Sequence, residues 1–219
     1  MLTKEEKKKK WENYWYYYKW HTIIGIIVVM LISYSIYEKV TYVSPDFEID
    51  AITDCGFSYN SAETIENKLV ESGALPDINE DGKVSANVNF YTAGYSQEAS
   101  KQADASMMQI VQLRMAVGES PIILTDEALT KVYEDQGVFT DITEMADKLG
   151  ITDDDRLLSK DGKVIGINVA ASPVFAETGI FTGKLYLTLR TPTNDMKKNK
   201  KAMKTFDNAE QIAKYLIKG

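Results

Sequence analysis

The most apolar stretch of the chain lies near its amino terminus, where Thr22 to Tyr37 carries no charge and is dominated by Ile, Val, Leu and Met. At about 1.5 Å per residue this makes a helix of roughly 24 Å, slightly short of the roughly 30 Å hydrocarbon core of a bilayer. Aromatic flanks make up the difference. Trp11, Tyr14, Trp15, Tyr16, Tyr17, Tyr18 and Trp20 precede the run, and Tyr34, Tyr37 and Tyr42 close it. They are expected at headgroup level, with Lys19 snorkelling outward.

Beyond a short linker at 38–46 the pattern changes to shorter periods. Phe47 to Thr53 alternates as a strand does, and Asn60 with Glu63 resembles a helix cap ahead of an apolar face at Ile65, Leu69 and Val70 that ends before Gly73. Val84 to Tyr91 alternates again. From Gln97 to about Val117, apolar positions recur at helical spacing, with Met107, Met108 and Met115 as core filler. Pro121 to Thr125 is a continuous apolar run, expected of a strand covered on both faces. Asp126 can cap a helix over Glu127 to Tyr133, and a short helix follows at Glu144 to Leu149. Lys163 to Val169 and Lys184 to Arg190 read as further strands, the first entered through an Asp161-Gly162 turn. Asp207 with Glu210 suggests a capping box, followed by Ala209, Ile212, Ala213, Leu216 and Ile217 on one helical face. Strands alternating with helices predict one three-layer α/β/α domain over 47–219, with a mainly parallel central sheet.

Charge gives the apolar run an orientation. Residues 1–21 hold six lysines and three glutamates, a net of +3, whereas the rest of the chain is net −10 of a total of −7. The positive-inside rule therefore predicts a single-pass protein of the cell membrane, with 1–21 cytoplasmic, 22–37 transmembrane and the carboxy-terminal domain extracellular. The competing reading is a cleaved signal peptide, because Ser33-Tyr34-Ser35 has cleavage-site spacing. The long aromatic segment and the bulky Ile36 and Tyr37 favour an uncleaved anchor. Cys55 follows Ile52-Thr53-Asp54 and is in no lipidation box. As the single cysteine it forms no intramolecular disulfide, and it reads as a small apolar core side chain, with a free reactive thiol as the alternative.

Little in the sequence points to catalysis. His21, the single histidine, sits at the membrane border, so the exported domain has no histidine for a metal cluster or a His-based triad. No nucleophile elbow is present. Asp153, Asp154 and Asp155 are consecutive, as in a cap, and are not spaced as an acid/base pair. An acidic domain without a basic aromatic groove argues against nucleic acid. The lysines at 197–204 read as a solvated loop. Asp77-x-Asn79-x-Asp81-Gly82 matches the opening of a calcium loop, but the twelfth position is Val88 where a bidentate Glu belongs. The expectation is an Asx-rich turn and, at most, a weak calcium site at Asp77, Asn79 and Asp81, with no other cofactor.

The order of these elements carries a resemblance. Strand, helix, the Asp77-Ile-Asn-Glu-Asp-Gly-Lys turn, strand, a Met-rich helix, Pro121-Ile-Ile-Leu-Thr-Asp126, helix, Gly137-Val-Phe-Thr-Asp-Ile142 and Gly162-Lys-Val-Ile-Gly-Ile-Asn168 resemble the first lobe of extracellular solute-binding proteins. That family has the type 2 periplasmic-binding fold and serves ABC importers. Only about fifteen residues separate Ala170 from the Leu185 strand, too few for a second lobe. The resemblance therefore implies one lobe without the closing cleft of the family.

In an open α/β sheet ligands favour the carboxyl ends of strands. The candidate contact residues are accordingly Gly56, Ser58 and Tyr59, then Thr125 and Asp126, then Ala171 and Ser172. The expected function is a membrane-anchored, non-enzymatic extracytoplasmic module that docks on another extracytoplasmic or membrane protein. The alternative is a small-solute binder linked to an importer, completing its cleft by dimerisation.

Overall fold

In a computed structural model the chain forms two compact units, residues 1–43 and 44–219. The structure describes residues 3–41, 44–54, 59–92, 105–176, 178 and 183–219.

The first unit is a single helix, α1 (Lys4–Thr41), about 57 Å long at 1.5 Å per residue. A capping box starts it: the Thr3 amide donates to Glu6 Oε2 at 2.8 Å and the Glu6 amide to Thr3 Oγ1 at 3.4 Å. The Thr3 amide, and then the Thr3 hydroxyl at 3.1 Å, both donating to Glu6 Oε2, hold the carboxyl below its ordinary range. The apolar run is exposed: Val29 is 63 % exposed and Leu31 62 %. The helix is long and apolar enough to cross a membrane.

The expected linker at 38–46 overlaps both units. Helix α1 continues to Thr41, and Ser44 already belongs to the second unit. Buried Asp46 shows why: its Oδ1 accepts the amides of Ile78 at 2.8 Å and Asn79 at 2.9 Å, and its Oδ2 accepts that of Ser85 at 2.9 Å. One carboxylate thus pins the 77–85 turn against the entry to the sheet.

The second unit runs β1 (Phe47–Thr53), α2 (Tyr59–Glu71), β2 (Ala86–Thr92), α3 (Ala105–Val117), β3 (Ile122–Thr125), α4 (Glu127–Tyr133), α5 (Thr143–Leu149), β4 (Arg156–Leu158), β5 (Val164–Asn168), α6 (Pro173–Ala176), β6 (Tyr186–Leu189) and α7 (Lys200–Lys218). The six strands form one sheet in the order β2-β1-β3-β6-β5-β4. Strand β1 pairs in parallel with both β2 and β3, while β3–β6, β5–β6 and β4–β5 are antiparallel. Four strands, β1, β2, β3 and β5, therefore point one way, yet only two of the five pairings are parallel.

The α/β class is as the alternation predicts, but the mainly parallel sheet gives way to a mixed one after β3. For the β4–β5 pair the reason is connection length. A parallel neighbour needs a crossover of about a dozen residues or more, usually a helix. Strand β4 turns into β5 through Ser159–Lys163, closed by the Gly162 amide on Ser159 O at 2.9 Å. Between β5 and β6 the described residues hold one short helix, the one-turn α6.

Alternation within the strands sends two sets of side chains to opposite faces. Phe47, Ile49, Ala51, Ile122, Leu124, Leu185 and Leu187 pack with α2, α5, α6 and α7. Ile52, Ile123 and Tyr186 pack with Val111 and Met115 of α3 and Leu129 and Tyr133 of α4. Each fully buried aliphatic side chain contributes about 1.5–3 kcal/mol of transfer free energy. Val70, assigned to the buried face of α2 by its spacing, is instead exposed. Helix α7 begins at Lys200, well before the expected box at Asp207, because Asn199 Oδ1 accepts the Ala202 amide at 3.3 Å. Part of the lysine cluster is thereby helical, and Lys204 pairs with Glu80 at 2.6 Å.

Candidate functional site

Helix α2, which follows β1, packs on one face of the sheet, and α4, which follows the adjacent parallel strand β3, packs on the other. The carboxyl ends of β1 and β3 are thus a topological switch point, where connections diverge and open α/β sheets take ligands. Asp126 occupies this point. Its Oδ1 accepts the Leu129 amide at 2.8 Å, capping α4, and its Oδ2 accepts the Asp54 amide at 2.8 Å. Thr125 beside it is fully buried.

Of the other candidate residues, Gly56 and Ser58 lie outside the described residues, and Tyr59 is placed by its backbone alone, opening α2. Ala171 and Ser172 follow β5, two strands away from β3. Ala171 is exposed. The Ser172 hydroxyl points into the protein, donating to Leu216 O at 2.8 Å. The structure therefore joins Asp126 to Asp54, with Thr125 buried beside them, and leaves Ser172 as a tie to α7.

The calcium-like turn binds itself. Asp77 Oδ1 and Oδ2 accept the amides of Asp81 and Gly82 at 3.2 and 2.9 Å, Asn79 Oδ1 accepts that of Asp81 at 2.9 Å, and Asp81 Oδ1 accepts that of Lys83 at 2.9 Å. Glu80 takes φ +61° and Gly82 φ +80°, the left-handed backbone that this tight turn needs. Among the described residues no group of three or more His, Cys, Asp or Glu is arranged to hold a metal ion.

A second polar assembly has no counterpart among the candidate residues. On the sheet face covered by α3, Asp50 is fully buried. Asn89 on β2 donates to Asp50 Oδ1 and to Glu48 Oε2, both at 3.4 Å. Arg190, just past β6, spreads its guanidinium over the end of α3: Nε donates to Ser120 O at 3.0 Å, Nη1 to Met115 O and Nη2 to Arg114 O, both at 2.9 Å. Gly118 is required here, because a Cβ at that position would lie 2.3 Å from Arg114 O and 3.0 Å from Arg190 Nη2. Arg114 itself sits over the Tyr91 ring at 5.6 Å, a cation–π contact.

Burial raises the Asp50 carboxyl above its ordinary value, opposed by the charges of Arg114 and Arg190 and by the nearby Ser120 hydroxyl and Asn89 amide. Burial likewise lowers Arg190 to about 10, with the charge of Asp50 opposing. The Tyr91 phenol is pushed up by burial and then by Asp50. Arg114, Tyr91 and Asn89 are half-buried, so the assembly reaches the surface near β2. It presents a cation, a phenol and an amide.

At the free edge of β2, Glu66 of α2 accepts the Val88 amide at 2.7 Å. That bond blocks one of the open donors by which an edge strand recruits another strand. No family model matches this chain, and no curated protein matches it either.

Proposed function

We propose that this protein is a membrane-anchored, non-enzymatic interaction module, with α1 crossing the cell membrane, its lysine-rich start in the cytoplasm and the α/β unit outside. The observation that carries the reading is the uncovered apolar run of α1, attached to a net acidic α/β unit. A soluble core helix of this composition would bury at least one face. The charge step from +3 before residue 22 to −10 after it supports the orientation.

Two features of the α/β unit favour protein docking over turnover. Asp126, at the switch point, spends both carboxylate oxygens on backbone amides, which leaves it poorly placed to take a proton from a substrate. The resemblance to one lobe of a solute-binding protein further implies a surface without a facing lobe to close over a ligand. The partner is then an extracytoplasmic or membrane protein held beside the same bilayer. Crosslinking in native membranes followed by mass spectrometry tests this. A defined membrane or extracytoplasmic protein captured by the chain, and lost on charge reversal at the α/β surface, supports the reading. Capture of cytoplasmic proteins through residues 44–219 would overturn it.

A second reading, small-solute binding in partnership with an importer, has one observation in its favour: the half-buried Arg114, Tyr91 and Asn89 beside the switch-point strands. A thermal-shift panel of sugars, amino acids and peptides distinguishes the two, because only a solute binder is stabilised by its ligand.

A further inference from the structure

We infer that α1 associates with α1 of a second copy of this chain, in parallel, along one uncharged seam that runs from Trp11 to Ile36. The inference rests on the reading of α1 as a membrane-spanning anchor. Positions Trp11, Trp15, Tyr18, Thr22, Gly25, Val29, Ile32 and Ile36 are separated alternately by four and three residues, the spacing of a coiled-coil seam. None is charged, and the same spacing reaches Lys8 before it and Lys39 after it. Lysines therefore bound the seam at both ends.

The rings along the seam are already ordered. Trp11 stacks on Trp15 with centroids 6.3 Å apart and planes 16° from parallel, and Tyr14 beside them stacks on Tyr18 at 5.4 Å and 24°. The Tyr14 hydroxyl is paired with Thr22 Oγ1 at 2.9 Å. Fixed rings lose little further rotamer freedom on association. They are nonetheless uncovered, Trp11 at 65 % and Tyr18 at 53 % exposed.

Distance decides between a lipid and a protein cover. In the continuous helix Trp11 lies eleven residues before Thr22, about 16 Å from the start of the uncharged run. Even if the whole shortfall of about 6 Å in hydrocarbon span falls on this side, Trp11 stands about 10 Å from the core boundary, beyond a headgroup layer of about 5–7 Å. The expected headgroup belt thus fits Trp20 and Tyr18 and leaves Trp11 in water.

Charge points to the same occupant. Both copies cross the membrane in one direction, so only a parallel pair is available. In that register the residues flanking the seam place Lys7 of one copy opposite Glu12 of the other, an attractive pair formed twice that competes with the Lys8–Glu12 contact at 4.0 Å within each chain and offsets the two Lys8 side chains facing each other at the end of the seam. Gly25 also lies on the seam. A Cβ there would meet nothing within 4 Å in a single chain, although glycine in a helix interior costs about 1 kcal/mol relative to alanine. Close approach of a second helix gives it a role.

The test uses full-length protein carrying Cys55→Ser in phosphatidylcholine vesicles at low protein-to-lipid ratio, with single cysteines on the seam (Thr22→Cys, Val29→Cys) or opposite it (Asn13→Cys, Ile27→Cys). Oxidative crosslinking should give at least tenfold more covalent dimer from the seam pair than from the opposite pair. Lys7→Glu should lower the Val29→Cys yield several-fold, and adding Glu12→Lys should restore it. Equal yields at all four positions, no dimer at any, or quenching of Trp11 by lipid-borne quenchers without seam crosslinking would overturn the inference. Intact mass of the membrane-extracted chain separates this from the anchor reading. Loss of residues 1–35 would remove the anchor itself, whereas an intact chain without a seam preference would remove only the pairing.

Discussion

The Asp54 amide donates to Asp126 Oδ2 at 2.8 Å, tying the carboxyl end of β1 to that of β3 across the switch point of the sheet. The other oxygen of the same carboxylate caps α4. One side chain therefore holds a strand end, the neighbouring strand end and a helix start in register. Asp126→Ala should destabilise the α/β unit by about 2 kcal/mol, the sum of a lost cap and a lost charge-assisted bond. Asp126→Asn should fall between it and the parent, because an amide offers one acceptor where the carboxylate offers two. Chemical denaturation of the three proteins gives the order directly.

Arg190 is the second fixed point. Its three donors satisfy the carbonyls of Arg114, Met115 and Ser120 at the end of α3. Arg190→Met removes the guanidinium from the Met115 and Ser120 carbonyls, while Arg114 O keeps the Gly118 amide at 2.8 Å, and a loss of about 2–3 kcal/mol is expected from the buried carbonyls left without it. Arg190→Lys should rescue little, since a single ammonium cannot reproduce the planar fork. Gly118→Ala should cost about 1–3 kcal/mol through the contact with Arg114 O.

Asp50 gives a pH signature. Its native pKa lies above the ordinary 3.8 because of burial, so the folded state holds the proton to higher pH than the unfolded chain does. The stability Asp50 contributes is therefore full below 3.8 and is lost as pH rises through the raised native value. Unfolding free energies of the parent minus those of Asp50→Asn, measured from pH 4 to pH 8, should fall with pH. A difference that rises with pH contradicts this assignment.

For the 77–85 turn the expected outcome is insensitivity to metal. Both oxygens of Asp77 and the side-chain oxygen of Asn79 already accept backbone amides, and a calcium ion would have to displace those bonds. Millimolar calcium should leave the melting temperature unchanged. A rise of several degrees, abolished by Asp77→Ala, would restore the turn as a calcium site.

How far the fold is legible depends on whether local pattern or tertiary cover decides each element. Strand β1, strand β3 and the Asp126 cap of α4 are legible, because each combines an apolar pattern with its own boundary residue. Strand β4 is not. It has three residues and follows three consecutive aspartates, so no alternation develops. The start of α7 is obscured by lysines, good helix formers that also compose loops.

The polar assembly at Asp50 is hidden for another reason. Glu48 and Asp50 alternate with apolar residues as a solvent-facing edge does, and only the packing of α3 turns that face inward. A trace of it exists in composition. The chain has three arginines against twenty-two lysines, and Arg190 and Arg156 bond to backbone carbonyls while Arg114 lies over a ring. Arginine is used here where a planar, packed cation is needed.

The topology of α1 is directly measurable. Single cysteines at Lys9 and at Lys214, each in a Cys55→Ser chain, would be labelled in intact cells with a membrane-impermeant maleimide. Labelling at 214 from outside, with 9 reached only after lysis and the chain recovered at full mass, is the predicted result. Labelling at 9 in intact cells, or a chain shortened by the loss of α1, would contradict it.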